Sequence, residues 1–199
     1  MKLIYKGKYN GEVEEFESSK NIVNAIKYKE ADTVEEMAKI ITLPANIIQL
    51  VLLLIVFLIV GFDNFDNTLL LLILSFFVSL LTMIPHELLH GISYKNKVYL
   101  YTNLKQFMLF VVGEDHMSKW KFIFMCMLPN IVFGFIPFIL FLINTKLVFL
   151  GMLGAMCISY GMGDYYNVWN TIMQVPSNGM VFSKGHNSYW YVDEKVKKW

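Results

Sequence analysis

The chain has 199 residues, of which 56% are hydrophobic and only 17% are charged, and its net charge is +1. Soluble domains are typically about 45–50% apolar and about 25% charged, so this composition excludes an ordinary soluble domain and indicates a membrane protein. The net charge is close to zero and every basic residue is a lysine, which argues against a nucleic-acid partner.

Residues 1–43 are mostly polar and are predicted to form a cytoplasmic N-terminal appendage. We expect no cleavable signal peptide, because glutamates occupy the positions where such a leader needs an apolar core. The Asn10-Gly11 pair between short alternating runs predicts a hairpin turn. A capping box that begins at Thr33 predicts a short helix, which we expect to lie at the membrane surface and to end before Pro44.

Four apolar segments follow, at residues 44–61, 68–90, 120–143 and 146–163. Each is close to the roughly 20 residues that a helix needs to span a bilayer. Four such segments in a row are too long and too regular for the buried helices of a soluble protein. The sequence therefore predicts an integral membrane protein with about four transmembrane helices, in a core at residues 44–170.

Lysine placement predicts how these helices are oriented. Sixteen of the 17 lysines lie before the first segment, between the second and third, or after the fourth, whereas Lys146 lies between the third and fourth. Because cytoplasmic loops carry an excess of lysine and arginine, both termini are predicted to be cytoplasmic.

The remaining segments have the pattern of short strands. Residues 98–102 and 106–112 predict a β-hairpin between the second and third apolar segments. The C-terminal tail, residues 171–199, has two turn signals and an aromatic, strand-like run at residues 189–191. The predicted fold class is an all-α membrane protein with a short β-hairpin after the second helix and small β-rich cytoplasmic termini.

An HExxH motif, His86-Glu87-Leu88-Leu89-His90, ends the second apolar segment. Residues four apart lie on one face of a helix, so both imidazoles can bind one metal ion. Glu87, beside the first ligand, can then take a proton from a water molecule at the metal. The motif predicts the zinc site of a hydrolase.

A catalytic zinc site needs a third protein ligand and one open position. Asp164 is the best candidate, because it ends the fourth segment at the same predicted depth as the motif, and ionisable residues in a bilayer are rarely kept without a role. Four residues of predicted cytoplasmic loops remain alternatives: Glu114, Asp115, His116 and His186.

Two asparagines are candidates for supporting roles. Asn130 follows Pro129, so its amide can either bond a carbonyl that the proline leaves free or contact a substrate. Asn167, three residues after Asp164, can orient that carboxylate by donating a hydrogen bond to it.

These residues together resemble the intramembrane zinc metalloproteases of the site-2 protease type. The likeness lies in the HExxH motif, in Leu128-Pro129-Asn130 and in Gly163-Asp164. More narrowly, Pro-His-Glu-Leu-Leu-His-Gly, Gly-Asp-Tyr-Tyr-Asn and Gly-His-Asn-Ser-Tyr-Trp-Tyr are similar to a family of small bacterial membrane proteins described as putative zincin peptidases. The likeness extends over residues 40–192.

The resemblance implies that His86, His90 and Asp164 hold Zn²⁺ and that Glu87 is the catalytic base. It also implies a membrane-protein or peptide substrate, held extended by an edge strand at residues 98–112, and a place in a bacterial cell membrane. The function expected is therefore zinc-dependent intramembrane proteolysis.

Two alternatives stand beside this expectation. One is a non-proteolytic membrane protein with a structural or transport-related zinc site, which a fourth protein ligand such as His116 would favour. The other is a membrane interaction protein whose polar cluster binds no metal.

Overall fold

The molecule is described by a computed structural model that covers residues 2–9, 22, 24–61, 65–103, 108–184 and 187–192. The prediction of a mainly helical chain with long apolar helices is confirmed. In this part of the chain the helices are α1 (Val34–Val60), α2 (Phe65–Ile92), α3 (Lys119–Asn130), α4 (Ile136–Ile143), α5 (Val148–Tyr160) and α6 (Met162–Gln174). A π-helical turn, Ile131–Phe135, joins α3 to α4. The strands are β1 (Lys2–Lys8), β2 (Ile26–Lys27), β3 (Lys97–Asn103), β4 (Met108–Gly113), β5 (Met117–Ser118), β6 (Gly179–Lys184) and β7 (Asn187–Val192).

Three helical stretches of the described chain are long and apolar enough to cross a membrane: Val34–Val60, Asp66–Ile92 and Lys119–Ile143. The fourth predicted segment forms α5, which is apolar but only 13 residues long. Backbone hydrogen bonds to and from Gly161 carry the chain from α5 directly into α6. The count of four spanning helices therefore stays a prediction.

Helix α1 differs from the expectation for the N-terminal region. The prediction of a separate helix that ends before Pro44 is wrong, because α1 continues through this proline to Val60. The proline removes one helical hydrogen bond, and the apolar residues that follow it keep the chain helical. The N-cap is confirmed, since Thr33 Oγ1 accepts a hydrogen bond of 3.2 Å from the Glu36 N–H, but the carboxylate of Glu36 accepts from the Asp32 N–H and not from Thr33 as a complete capping box would.

The strands form two small sheets. In the first, β3 lies between β1, which is parallel to it, and β4, which is antiparallel. In the second, the order is β2-β7-β6-β5 and every pair is antiparallel. The predicted turn at Asn10-Gly11 lies outside the described residues. The N-terminal region thus pairs with β3 and with the tail, and both domain boundaries predicted from the sequence fall inside helices, α1 and α6.

Helix α5 lies at the centre of the core that the apolar helices form. Its residues from Gly151 to Ser159 are all buried. An added Cβ at Gly154 would lie only 2.6 Å from the backbone nitrogen of Phe138, so this glycine lets α5 approach α4 closely. Close packing fixes the end of α5, and with it the start of α6, near the C-terminal end of α2.

Candidate metal centre

Helix α2 presents both histidines of the HExxH motif to one point. The ring centroids of His86 and His90 lie 4.9 Å apart. Ligand atoms of His86, Glu87 and His90 all lie within 4.8 Å of one another. One helical turn of α2 therefore supplies two imidazoles and a carboxylate to a common site.

The carboxylate of Asp164, in the first turn of α6, contacts both imidazoles. Its Oδ2 lies 3.1 Å from His86 Nε2, and its Oδ1 lies 3.2 Å from His90 Nε2. The side chains of His86, His90 and Asp164 are only 17%, 8% and 15% exposed. The fold thus brings together two stretches that are 78 residues apart in the sequence.

The other ring nitrogen of His90 is engaged by the backbone of α3. Nδ1 donates to the Met125 carbonyl oxygen at 3.0 Å. This carbonyl lacks its helical donor, because the residue four positions on is Pro129, which has no N–H. With the proton on Nδ1, the lone pair of Nε2 points towards Asp164, which is the tautomer that a metal ligand needs.

Asn130 is fully buried and holds the carboxylate of Asp164. Its Nδ2 donates to Asp164 Oδ2 at 2.7 Å and to the Cys126 carbonyl oxygen at 3.1 Å. Both hydrogen bonds come from one amide, so Asn130 supports the backbone of α3 and the site at once. The amide fits because residue 161 is glycine, where an added Cβ would lie 1.6 Å from Asn130 Oδ1.

The other candidates from the sequence lie elsewhere. Hydrogen bonds from β3 and the loop before it hold Glu114 and Asp115. His116 stacks on Phe182, with ring centroids 4.8 Å apart. His186 lies outside the described residues.

Asn167 lines the cavity around the site, but the hydrogen bonds found in the described part of the chain include none from its side chain to Asp164. The amide that contacts Asp164 is that of Asn130. Sequence reasoning missed the Met125 carbonyl, for which Pro129, four residues after Met125, was the available signal. The two glycines before Asp164, Gly161 and Gly163, predict a close approach of helices, but no motif indicates that Asn130 is the group that lies against Gly161.

The site opens into a cavity of about 630 Å³. His86, Glu87, His90 and Asp164 all line it. Other parts of its wall come from the first turns of α1 and from residues 109–111 of β4. This volume lies within the roughly 300–1,000 Å³ of typical ligand pockets, so the cavity is large enough to hold a ligand beside the polar cluster.

The residues fit a zinc ion. In a tetrahedral site with bonds of about 2.0–2.2 Å, ligand atoms lie roughly 3.3 Å from one another. The contacts of Asp164 with the two imidazoles, 3.1 and 3.2 Å, are close to this separation. Two histidines and one carboxylate are also the ligand set of catalytic zinc sites, which leave a fourth position open.

Comparison with known proteins gives one match. The model of a family described as putative zincin peptidase matches residues 79–180. The matched range runs from the second half of α2 to the start of β6 and includes every residue of the polar cluster. No curated protein and no solved structure shows a significant match to the chain.

Proposed function

This chain belongs to the putative zincin peptidase family, and from that premise we propose that it is a zinc-dependent intramembrane metalloprotease. It hydrolyses peptide bonds in or near the bilayer. The observation that carries the proposal is the contact of Asp164 with both imidazoles of the HExxH motif, beside Glu87 and at the wall of an open cavity.

In this proposal His86, His90 and Asp164 hold Zn²⁺. A zinc ion bound there supplies Lewis acidity, which makes a water molecule more acidic and polarises the carbonyl of the scissile bond. The tautomer of His90, fixed by Met125, and the hydrogen bond from Asn130 to Asp164 keep the three ligand atoms in place before the metal binds.

Glu87 transfers the proton from the attacking water to the leaving amine. Its carboxylate takes a proton from the attacking water as the oxygen bonds to the carbonyl carbon. It then delivers this proton to the nitrogen of the leaving amine as the carbon–nitrogen bond breaks. The position beside His86 and at the cavity wall gives Glu87 access to both partners.

Strand β4 presents the substrate. A transmembrane helix hides its amide bonds, so a substrate must become extended before cleavage. Among the described residues β4 pairs on one side only, with β3, and residues 109–111 line the cavity. A peptide that adds to the outer edge of β4, where the backbone of Val111 bonds the carboxylate of Glu87, would be held extended along the polar cluster.

We also propose partners and a location for the protein. The partners are membrane lipids and a membrane-protein or peptide substrate, and no nucleic acid. The lysine distribution supports cytoplasmic termini, and the resemblance supports a bacterial cell membrane.

The alternative, a non-proteolytic protein with a structural or transport-related zinc site, has less support. A closed structural site needs a fourth protein ligand. His116, which the sequence offered for that position, instead has its Nδ1 3.0 Å from the Tyr191 hydroxyl oxygen.

The Glu87→Gln variant tests the proposal. We expect it to keep zinc and to lose cleavage, because glutamine cannot accept the proton. Membrane proteomes of cells that express the wild type or the variant are compared for proteins that accumulate uncut. Glu35→Gln, an exposed change in the first turn of α1, is the matched control and should behave as the wild type. Cleavage retained by Glu87→Gln would contradict this mechanism.

A further inference from the structure

A second cavity of about 150 Å³ adjoins the one at the candidate metal centre. It is smaller than the roughly 300–1,000 Å³ of pockets that take a whole small molecule, and its size suits one side chain. The two cavities share six wall residues: Met37, Tyr94, Phe110, Val111, Met125 and Asn167. The smaller cavity therefore lies directly beside the larger one.

The smaller cavity has polar wall residues that the larger cavity lacks. Beyond the shared residues, its polar wall consists of Glu30, Ser183 and Ser188. Among the described residues that line it, Glu30 is the only charged one. We call this cavity the Glu30 pocket.

Glu30 has a fixed position relative to the metal centre. Its carboxylate accepts a hydrogen bond of 2.5 Å from the Ser188 N–H. The backbone N–H groups on either side of Glu30 donate to Gln174 Oε1 at 2.6 Å and to the Tyr166 hydroxyl at 2.9 Å. Both acceptors belong to α6, the helix that carries Asp164.

Among the described residues, the carboxylate of Glu30 is bonded by Ser188 and Asn187 and is not in contact with a cation. The ion pairs found in the described part of the chain include none with Glu30, and Lys27 is instead 2.5 Å from Asp32. Burial raises the pKa of Glu30, because the charged form loses hydration. A cation that enters the pocket would replace that hydration with a charge-assisted hydrogen bond.

We propose that the Glu30 pocket is a specificity subsite that takes a lysine or arginine side chain of the peptide substrate. The inference rests on the proposed function. Phe110 and Val111 of β4 line both cavities, so a peptide paired with β4 runs from one to the other. Alternate side chains of an extended peptide point the same way, which lets one of them enter the pocket while the backbone lies at the metal centre.

Binding of two small probes tests the subsite without any cleavage. The probes are Nα-acetyl-lysine methylamide and its norleucine analogue, which has a similar shape but no charge. Thermal unfolding of the full chain in detergent is followed for wild type, Glu30→Gln and Glu35→Gln. Glutamine keeps an acceptor for the Ser188 N–H, and Glu35→Gln changes the net charge equally.

We expect the lysine probe to raise the Tm of wild type and Glu35→Gln, with roughly tenfold weaker binding to Glu30→Gln. The norleucine probe should bind weakly to all three. Equal shifts from the two probes, or full binding of the lysine probe by Glu30→Gln, would overturn the subsite.

Cleavage of a peptide library separates this inference from the proposed function. The wild type should cut peptides that have a basic residue at one fixed distance from the scissile bond, and Glu30→Gln should cut without that preference. Cutting by the wild type with no basic preference overturns the subsite alone. If the lysine probe binds but the zinc-loaded wild type cuts nothing, the subsite stands and the proposed protease activity fails.

Discussion

The side chains of the candidate metal centre are held in position by groups that would neither bind the metal nor take part in the reaction. A backbone carbonyl of Met125 fixes the tautomer of His90, and Asn130 orients the carboxylate of Asp164. Gly161 leaves the room in which the Asn130 amide lies. Loss of such supporting contacts typically lowers metal affinity about 10–100-fold, so zinc affinity should depend on these residues as well as on the ligands that they orient.

Gly161→Ala should weaken zinc binding. The added Cβ would lie 1.6 Å from Asn130 Oδ1, so the amide must move and release Asp164. We expect zinc affinity, measured by competition with a fluorescent chelator, to fall about 10–100-fold. Gly163→Ala is the matched control, because its Cβ would meet only Ile41 Cδ1 at 3.9 Å. Equal affinities of the two variants would contradict this role of Gly161.

Glu30→Gln should stabilise the protein at neutral pH. Because burial raises the pKa of Glu30, the folded chain releases this proton at a higher pH than the unfolded chain does. Glu30 therefore lowers stability as pH rises above its unfolded pKa of about 4.3, and has no such effect below it.

The measurement is the Tm of wild type and Glu30→Gln in detergent between pH 4 and pH 8. The variant should have the higher Tm at neutral pH, and the difference should vanish as the pH falls towards the unfolded pKa. A wild type that is more stable than the variant at neutral pH would show that Glu30 is stabilised by its surroundings.

Residue types and spacing predicted part of this site. The HExxH spacing marked His86, Glu87 and His90, and matched depth selected Asp164 from five candidates for the third ligand. Pro129 marks a free carbonyl in α3, but the partner of that carbonyl, the partner of Gly161 and the pocket at Glu30 could not be predicted, because they depend on which backbone and cavity lie beside these residues. A sequence without coordinates does not specify such distances.

At the scale of elements, a proline inside a helix determines one of the contacts of the metal centre. Pro129 lies in α3 and frees the carbonyl that His90 uses, whereas Pro44 lies in α1 without ending it. The sequence predicted an end at Pro44, since prolines usually stop helices. The prediction failed because one missing hydrogen bond is outweighed by the long apolar run that follows.

Pro129→Ala should separate helix stability from metal affinity. Alanine restores an N–H that can donate to the Met125 carbonyl and compete with His90. We expect zinc affinity to fall about tenfold or more. Helix stability should not fall, because proline is about 3 kcal/mol less favourable than alanine inside a helix.

Pro137→Ala is the matched control. It replaces a proline by alanine in α4, whose backbone, as the structure describes it, forms no hydrogen bond with the residues of the metal centre. Chelator competition and thermal unfolding are measured on both variants. Zinc affinity that falls equally in both, or in neither, would contradict the proposed competition at Met125.

At the scale of the whole molecule, the sheets join the N-terminal region to the segment between α2 and α3 and to the C-terminal tail. Strand β1 pairs with β3, and β2 pairs with β7 of the tail. Composition predicted the apolar core and its long helices, because they need only runs of hydrophobic residues. Pairing of strands that are distant in the chain could not be predicted, since short strands leave no mark of their partner.

Topology follows from the lysines and can be measured with two single cysteines. Lys146→Cys and Ser177→Cys both introduce a thiol at an exposed position, and the native Cys126 and Cys157 are buried. In intact cells a membrane-impermeant maleimide should label the first variant only. The second should react after the membrane is permeabilised. The reverse pattern would place the metal centre at the outer face.

Zinc content of the purified chain is the most direct test that His86, His90 and Asp164 form one metal centre. Elemental analysis should find about one zinc per chain in wild type and in Glu87→Gln, and far less in Asp164→Ala. Asp32→Ala, which removes an exposed carboxylate, should keep the wild-type content. A wild type without zinc after growth with added metal, or full zinc content in Asp164→Ala, would contradict the account.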